Sequence, residues 1–113
     1  MGNMPVLLDT DHLSSVTMGD RELMREILSD LVQDTSVQLP LMAAAIVSED
    51  SDLCLRRAHY LKGAFGNVGA CSAATLVTCI EEAARQQNYH GCAEFLGELF
   101  ITMEQLRVTL SAM

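Results

Sequence analysis

Residues 92–113, CAEFLGELFITMEQLRVTLSAM, carry apolar side chains at alternating spacings of four and three. The series consists of Cys92, Leu96, Leu99, Met103, Leu106, Leu110 and Met113. This spacing places the series along one side of a helix that begins near His90. In a chain of short helices, such a seam is more typical of one wall of a bundle core than of a long coiled coil. We also assign Phe95 and Phe100 to this core.

The preceding sequence contains four more segments with helical periodicity or capping residues. We expect helices over residues 9–16, 20–47, 51–65 and 72–87. Pro40 lies within the second of these helices and predicts a kink or a local irregularity there, because proline removes a backbone donor. Gly66 and Gly69 are expected to mark the end of the third helix and the following loop. The predicted fold is all-α: an antiparallel four-helix bundle with a short extra N-terminal helix.

Length and composition limit the functional classes. The chain has 113 residues, of which 50% are hydrophobic, so it can build one buried core and is not intrinsically disordered. Fifteen acidic residues against seven basic ones give a net charge of −8, which argues against nucleic-acid binding and against docking on anionic lipid. The longest apolar run, residues 39–47, is too short to cross a bilayer. Residues 1–11 lack a secretory pattern, and we expect a cytoplasmic protein.

The four cysteines form no C-x-x-C pair and lie mostly among Leu, Val, Ala and Ile: Cys54, Cys71, Cys79 and Cys92. We interpret them as buried free thiols in a reducing compartment. No Cys/His quartet has the spacing of zinc ligands, so we expect no metal site.

The most informative segment is residues 56–69, RRAHYLKGAFGNVG. On a helical wheel, the apolar residues of this region fall on one stripe: Cys54, Ala58, Leu61 and Phe65. His59 lies about 120° from the centre of the stripe and should project into water. Gly63 and Gly66 follow on the same side as His59, although Gly inside a helix costs about 0.5–1 kcal/mol relative to Ala. A missing side chain there leaves a bare surface that another protein's backbone could approach.

Lys62, the only lysine, is one turn from His59, and no acidic residue occurs between Leu53 and Ile80. From the sequence we expect Lys62 to lie beside the imidazole rather than beside an acid. Such a cationic patch on an acidic protein is suited to an anionic group or an acidic partner. No nucleophile–base–acid triad or set of metal ligands accompanies His59. A neutral imidazole is nevertheless a competent nucleophile near pH 7, and a nearby ammonium can screen a transferred phosphoryl group.

The motif His59-x-Leu61-Lys62-Gly63, followed by Gly69, resembles the signature of histidine-containing phosphotransfer (HPt) domains of multistep phosphorelays. The order of predicted helices is also similar to that family. The resemblance covers roughly Leu7 to Leu110, so residues 1–113 are expected to form a single domain with its core at about 7–110. Ala64 stands where the family often has Ser, and the segment before Gly69 contains an additional glycine, Gly66.

The resemblance implies that His59 accepts a phosphoryl group from a receiver-domain phospho-aspartate and passes it to another receiver. Lys62 would stabilise the phosphoryl oxygens, and Gly63 and Gly66 would leave space for the receiver. Arg56 and Leu55, on the flanks of the same face, would make docking contacts. The partners implied are the receiver domains of response regulators or of a hybrid histidine kinase. The protein would be a monomeric carrier without catalytic activity or cofactor of its own, and Mg²⁺ would belong to the receiver.

Two alternatives follow from the residues. The chain could be a helical interaction module, such as a degenerate HPt domain or a helical chaperone, that binds a partner without phosphoryl transfer. In that case His59→Gln would cause no loss of function. In an enzymatic alternative His59 would act as a general base, but the sequence shows no acidic residue to orient it and no pocket.

Overall fold

The computed structural model describes residues 5–113, and the first four residues of the predicted domain lie outside this range. It contains five helices: α1 (Thr10–Thr17), α2 (Arg21–Val47), α3 (Ser51–Val68), α4 (Cys71–Arg85) and α5 (Tyr89–Ser111). Within these residues there is no β-strand. The predicted all-α class and the order of a short helix before four longer ones are confirmed.

Side-chain caps explain where four of the helices begin. Asp9, Asp20, Asp50 and Asn88 each precede a helix and accept a hydrogen bond from a backbone N–H of its first turn. These bonds satisfy amide donors that have no partner within the helix. Asn88 caps the start of α5, and its own N–H donates to Ala83 O at 2.8 Å near the end of α4.

Two helices continue past a residue at which an irregularity or an end was expected. α2 remains helical on both sides of Pro40, which is solvent-exposed. α3 continues through Gly66 and ends only at Gly69, whose backbone is left-handed with φ of 79°. The prediction that Gly66 marks the helix end is wrong, because the closing hydrogen bonds come one turn later: the Ala70 N–H donates to Phe65 O at 2.9 Å. As a result, the whole segment from His59 to Gly66 lies on one continuous helix.

The four long helices form a closed arrangement in which α3 packs against α2 and α4, and α5 packs against the same two helices from the opposite side. The apolar stripe predicted for α3 is fully buried: Cys54, Ala58, Leu61 and Phe65 are each 0% exposed. Of the α5 seam, Cys92, Leu96, Leu99, Met103 and Leu106 are buried. Phe100 is 47% exposed, so its assignment to the core is wrong. It follows Leu99 by one residue and points away from the buried seam.

α1 and the segment before it pack against the end of α3. Asp9 N–H donates to Gly69 O at 2.8 Å, and His12 Nε2 lies 3.0 Å from Asn67 O. A Cβ at Gly69 would lie 3.1 Å from Asp9 O and 3.2 Å from the His12 ring. Glycine is therefore required at this position both for its positive φ and for the close approach of the N-terminal segment.

Candidate functional site

His59 occupies the outer face of α3, and its side chain is 84% exposed. The neighbouring residues Ala58 and Leu61 are buried in the core, so the helix is held in a fixed rotation that turns the imidazole to solvent. The exposure predicted from the helical wheel is confirmed. A reactive group on another protein can therefore reach the ring without any rearrangement of the bundle.

α4 supplies an acidic residue that the linear sequence did not place at this site. Glu81 is 22 residues after His59, and its side chain is only 7% exposed. Its Oε2 atom lies 3.9 Å from His59 Nδ1. That distance is too long for a direct hydrogen bond but short enough for electrostatic attraction or a bridging water. Because Glu81 approaches Nδ1, the Nε2 atom is the ring nitrogen left open to a partner.

Lys62 is paired with the same carboxylate. Its Nζ atom donates to Glu81 Oε1 at 3.3 Å, while its side chain remains 48% exposed. Arg85, one turn along α4, approaches Glu81 Oε2 at 3.7 Å. The expectation that Lys62 does not lie beside an acid is thus wrong. The packing of α3 on α4 brings a buried acid under both residues.

The two glycines on this face leave it bare. Gly63 and Gly66 are exposed, and a Cβ built at either position would have no heavy atom within 4 Å. Neither glycine is therefore needed for packing within the described part of the chain. A surface without side chains next to His59 is what the close approach of another backbone requires.

The remaining candidates lie one turn before His59. Leu55 is half-buried and packs against the core, and Arg56 is exposed. Arg56 lines a groove between α2 and α3, where the Tyr60 hydroxyl donates to Asp34 Oδ2. This hydrogen bond and the charge of Asp34 raise the pKa of Tyr60 above its usual value. The same hydrogen bond links α3 to α2 beside the histidine.

Comparison with known proteins identifies the fold and the family. The sequence model of the Hpt domain matches residues 26–109, which include the second to fifth helices almost completely. The chain belongs to the Hpt domain family. Membership supports a role in histidine phosphotransfer within phosphorelays, and it implies interaction with receiver domains of two-component systems.

The solved structures include a similar fold. The crystal structure of histidine-containing phosphotransfer protein B (HptB) from Pseudomonas aeruginosa PAO1 superposes on this Hpt domain with a TM-score of 0.85. The two chains share 23% sequence identity over 94% of this chain and 92% of HptB. A search of curated proteins gives no significant match. None of the helices in residues 5–113 combines the length and the hydrophobicity that a bilayer span requires.

The sequence of this Hpt domain contains a signal for the position of Glu81. The core stripe of α4 includes Val77, Ile80 and Ala84, and Glu81 lies next to it on the wheel. Glutamate is rarely buried unless it has a partner. An acid at such a position therefore indicates a cation on the adjacent helix. Which cation pairs with Glu81 depends on how α4 is rotated against α3.

No group of three or more His, Cys, Asp or Glu side chains that could hold a metal occurs in the described range 5–113. The cysteines are free thiols there, with Cys54 and Cys92 buried and Cys71 and Cys79 half-buried. Burial raises the pKa of the Cys54 thiol to about 11 and also raises that of Cys92. Both buried thiols are thus kept neutral and unreactive, as expected for core residues of an Hpt domain.

Proposed function

We propose that this protein is a phosphorelay intermediate in which His59 accepts a phosphoryl group from a receiver-domain phospho-aspartate and passes it to an aspartate of another receiver. The single observation that carries the proposal is the imidazole itself, 84% exposed on a rigid helix beside an ammonium and a bare glycine surface. The alternative, a helical module without phosphoryl transfer, gives no reason for this combination.

The transfer needs one nucleophilic atom from this chain. His59 Nε2 attacks the phosphorus, the phosphorus–oxygen bond to the donor aspartate breaks, and the bonding electrons leave with the aspartate carboxylate. The ring then carries a positive charge shared with Nδ1–H, which faces Glu81 Oε2 at 3.9 Å. We infer that Glu81 orients the ring and offsets this charge. In the second transfer an aspartate of the next receiver attacks phosphorus, and the neutral imidazole leaves.

Lys62 is suited to a second task. One N–H of its ammonium is directed to Glu81, and an ammonium has three donors, so two remain for the phosphoryl oxygens. The pairing with Glu81 also holds the flexible lysine chain next to His59, which lowers the entropy lost when the phosphoryl group arrives. In this proposal Lys62 stabilises the transferred group electrostatically, and Glu81 is a positioning residue.

The chain would act as a monomeric carrier in the cytoplasm, without a cofactor or catalytic activity of its own. Mg²⁺ would be held by the receiver domains, which carry the donor and acceptor aspartates. The receiver would dock over Gly63 and Gly66 and contact Arg56 and Leu55.

The test is a transfer assay with receivers phosphorylated by acetyl phosphate, run over a panel of candidate receivers. We expect the wild type to acquire an acid-labile, base-stable phosphate, and His59→Gln to acquire none. The matched control is His90→Gln, because His90 is equally exposed, at 88%, and has its own acidic neighbour, Glu94, at 2.8 Å. Transfer to His59→Gln at the wild-type rate would overturn the assignment of His59, and no transfer to the wild type would favour the interaction-module alternative.

A further inference from the structure

A groove of about 380 Å³ lies between α2 and α3, on the opposite side of His59 from Glu81. It is lined by Gln38, Leu53, Arg56, Arg57 and Tyr60. Arg56 is one helical turn before His59, which puts their Cβ atoms about 5–6 Å apart. A side chain of a partner protein that enters this groove is therefore adjacent to the imidazole.

In the described part of the chain, Arg56 and Arg57 have no side-chain carboxylate partner, as is also the case for Arg21 and Arg25 on α2. Lys62, Arg85 and Arg107 each lie within 4.0 Å of a carboxylate. Within residues 5–113 neither Arg56 nor Arg57 forms an ion pair, although the sequence contains fifteen acids for seven bases. Asp52, one turn before Arg56 on α3, is not paired with it either. Arg56 and Arg57 are adjacent in sequence and both line the groove, so the groove carries two guanidinium groups that no carboxylate of residues 5–113 pairs.

Arg57 also has an unused donor. Its Nη1 atom donates to Gln38 Oε1 at 3.1 Å, which ties the guanidinium to α2. Its Nε atom is buried and has no acceptor in the described part of the chain. The other acid near the groove, Asp34, accepts the hydrogen bond of Tyr60. The groove therefore presents two guanidinium groups that are not paired with a carboxylate of the described residues, of which that of Arg57 is held by Gln38, and a carboxylate is the planar acceptor that matches them.

We propose that this groove binds acidic side chains on the rim of the receiver's active site. The inference rests on the proposed function, because that function determines the partner. A receiver must present an aspartate to His59 and needs further carboxylates to hold Mg²⁺, so the surface that meets His59 is acidic. Since this protein carries a net charge of −8, two acidic surfaces would repel each other. Arg56 and Arg57 reverse that repulsion locally and orient the receiver over the imidazole.

The experiment measures the second-order rate constant of transfer from the receiver that phosphorylates the wild type fastest, at low and at high salt. The variants are Arg56→Glu, on an exposed side chain, and Arg57→Gln. The matched control is Arg21→Glu, an equal change of net charge at the first residue of α2, about 25 Å along that helix from Gln38. Phosphoramidate, a small donor that modifies histidine without a receiver, reports the reactivity of His59 itself.

We expect Arg56→Glu to slow transfer about tenfold or more at low salt and to flatten its salt dependence. Arg57→Gln should slow it about threefold or more, while Arg21→Glu and all phosphoramidate reactions stay within about twofold of the wild type. The inference would be overturned if Arg56→Glu accepted phosphate from the receiver at the wild-type rate, or if Arg21→Glu slowed that transfer equally. It would also be overturned if Arg56→Glu lost as much rate with phosphoramidate as with the receiver. If no receiver transfers to the wild type, the proposed function fails as well. If the wild type is phosphorylated and Arg56→Glu is unaffected, the inference alone fails.

Discussion

Lys62 Nζ on α3 lies 3.3 Å from Oε1 of Glu81 on α4, and the glutamate is almost completely buried beneath it. The ammonium that flanks the exposed imidazole is thus held by an acid from the neighbouring helix. This arrangement joins the site to the bundle, because any shift of α4 along α3 would move the cation relative to His59.

Removing Lys62 should destabilise the fold more than its partial exposure suggests. Lys62→Met leaves the buried carboxylate with Arg85 at 3.7 Å, and we expect a loss of about 1–2 kcal/mol in the free energy of unfolding. Glu81→Gln neutralises the acid, so the double variant Lys62→Met/Glu81→Gln should recover most of that loss. Urea denaturation of the four proteins gives the coupling energy. Additive losses would show that the pair is not energetically coupled.

Glu81→Gln should also slow phosphoryl transfer from a receiver, by about tenfold, or about 1.4 kcal/mol in activation free energy. The reason is that the amide cannot offset the charge on the phosphorylated ring. Stability should change by less than about 1 kcal/mol, because the exposed Lys62 is then solvated by water. Comparable transfer by Glu81→Gln and the wild type would remove Glu81 from the mechanism and leave it a structural residue.

Substitutions at the exposed glycines distinguish an effect on stability from an effect on receiver docking. Gly63→Ala, Gly66→Ala and the control Gly97→Ala on α5 all add a Cβ that has no heavy atom within 4 Å. Each should therefore stabilise the protein by about 0.5–1 kcal/mol. Gly63→Gln should in addition slow receiver transfer about tenfold or more by obstructing the approach, and Gly97→Gln should not. The measurements are thermal unfolding and the transfer assay. Equal transfer by the two Gln variants would mean that no partner covers Gly63.

Alanine substitutions at two glycines with similar positive φ distinguish backbone strain from a steric clash. Gly19 has φ of 75° and open space around a built Cβ, whereas Gly69 has φ of 79° and close contacts with Asp9 and His12. Gly19→Ala should cost about 1 kcal/mol from backbone strain alone. Gly69→Ala should cost about 2–3 kcal/mol, because it also displaces the segment before α1. Equal losses in chemical denaturation would contradict the packing of Asp9 on Gly69.

Alkaline pH should weaken the fold through the buried thiols. The pKa of Cys54 is about 11 in the folded protein against 9.0 for an exposed thiol, so between these values the unfolded chain loses a proton that the folded chain keeps. Stability is therefore unaffected by this group below about pH 9 and falls as pH rises towards about 11. Cys54→Ala should be less stable overall but should show a shallower decline. Parallel pH profiles of the two proteins in urea denaturation would exclude Cys54 as the cause.

Local patterns were sufficient for the helices and for the orientation of His59. Helical periodicity and caps such as Asp20 and Asp50 depend on residues within one or two turns, so they can be recognised without tertiary information. The end of α3 was less predictable. Glycine is a residue type that often ends helices, so Gly66 was expected to end α3. The hydrogen bonds that close the helix are made one turn later, at Gly69 and Ala70.

The amino-acid sequence by itself determined the five-helix order, the burial of Cys54, Ala58, Leu61 and Phe65, and therefore the exposure of His59, because these features follow from residues on a single helix. The tertiary structure decided that Glu81 meets Lys62 and His59, and that Arg57 reaches Gln38 across a groove. Those contacts join different helices, and their geometry depends on how each helix is rotated and shifted against its neighbour. Side-chain packing in the assembled core sets that rotation.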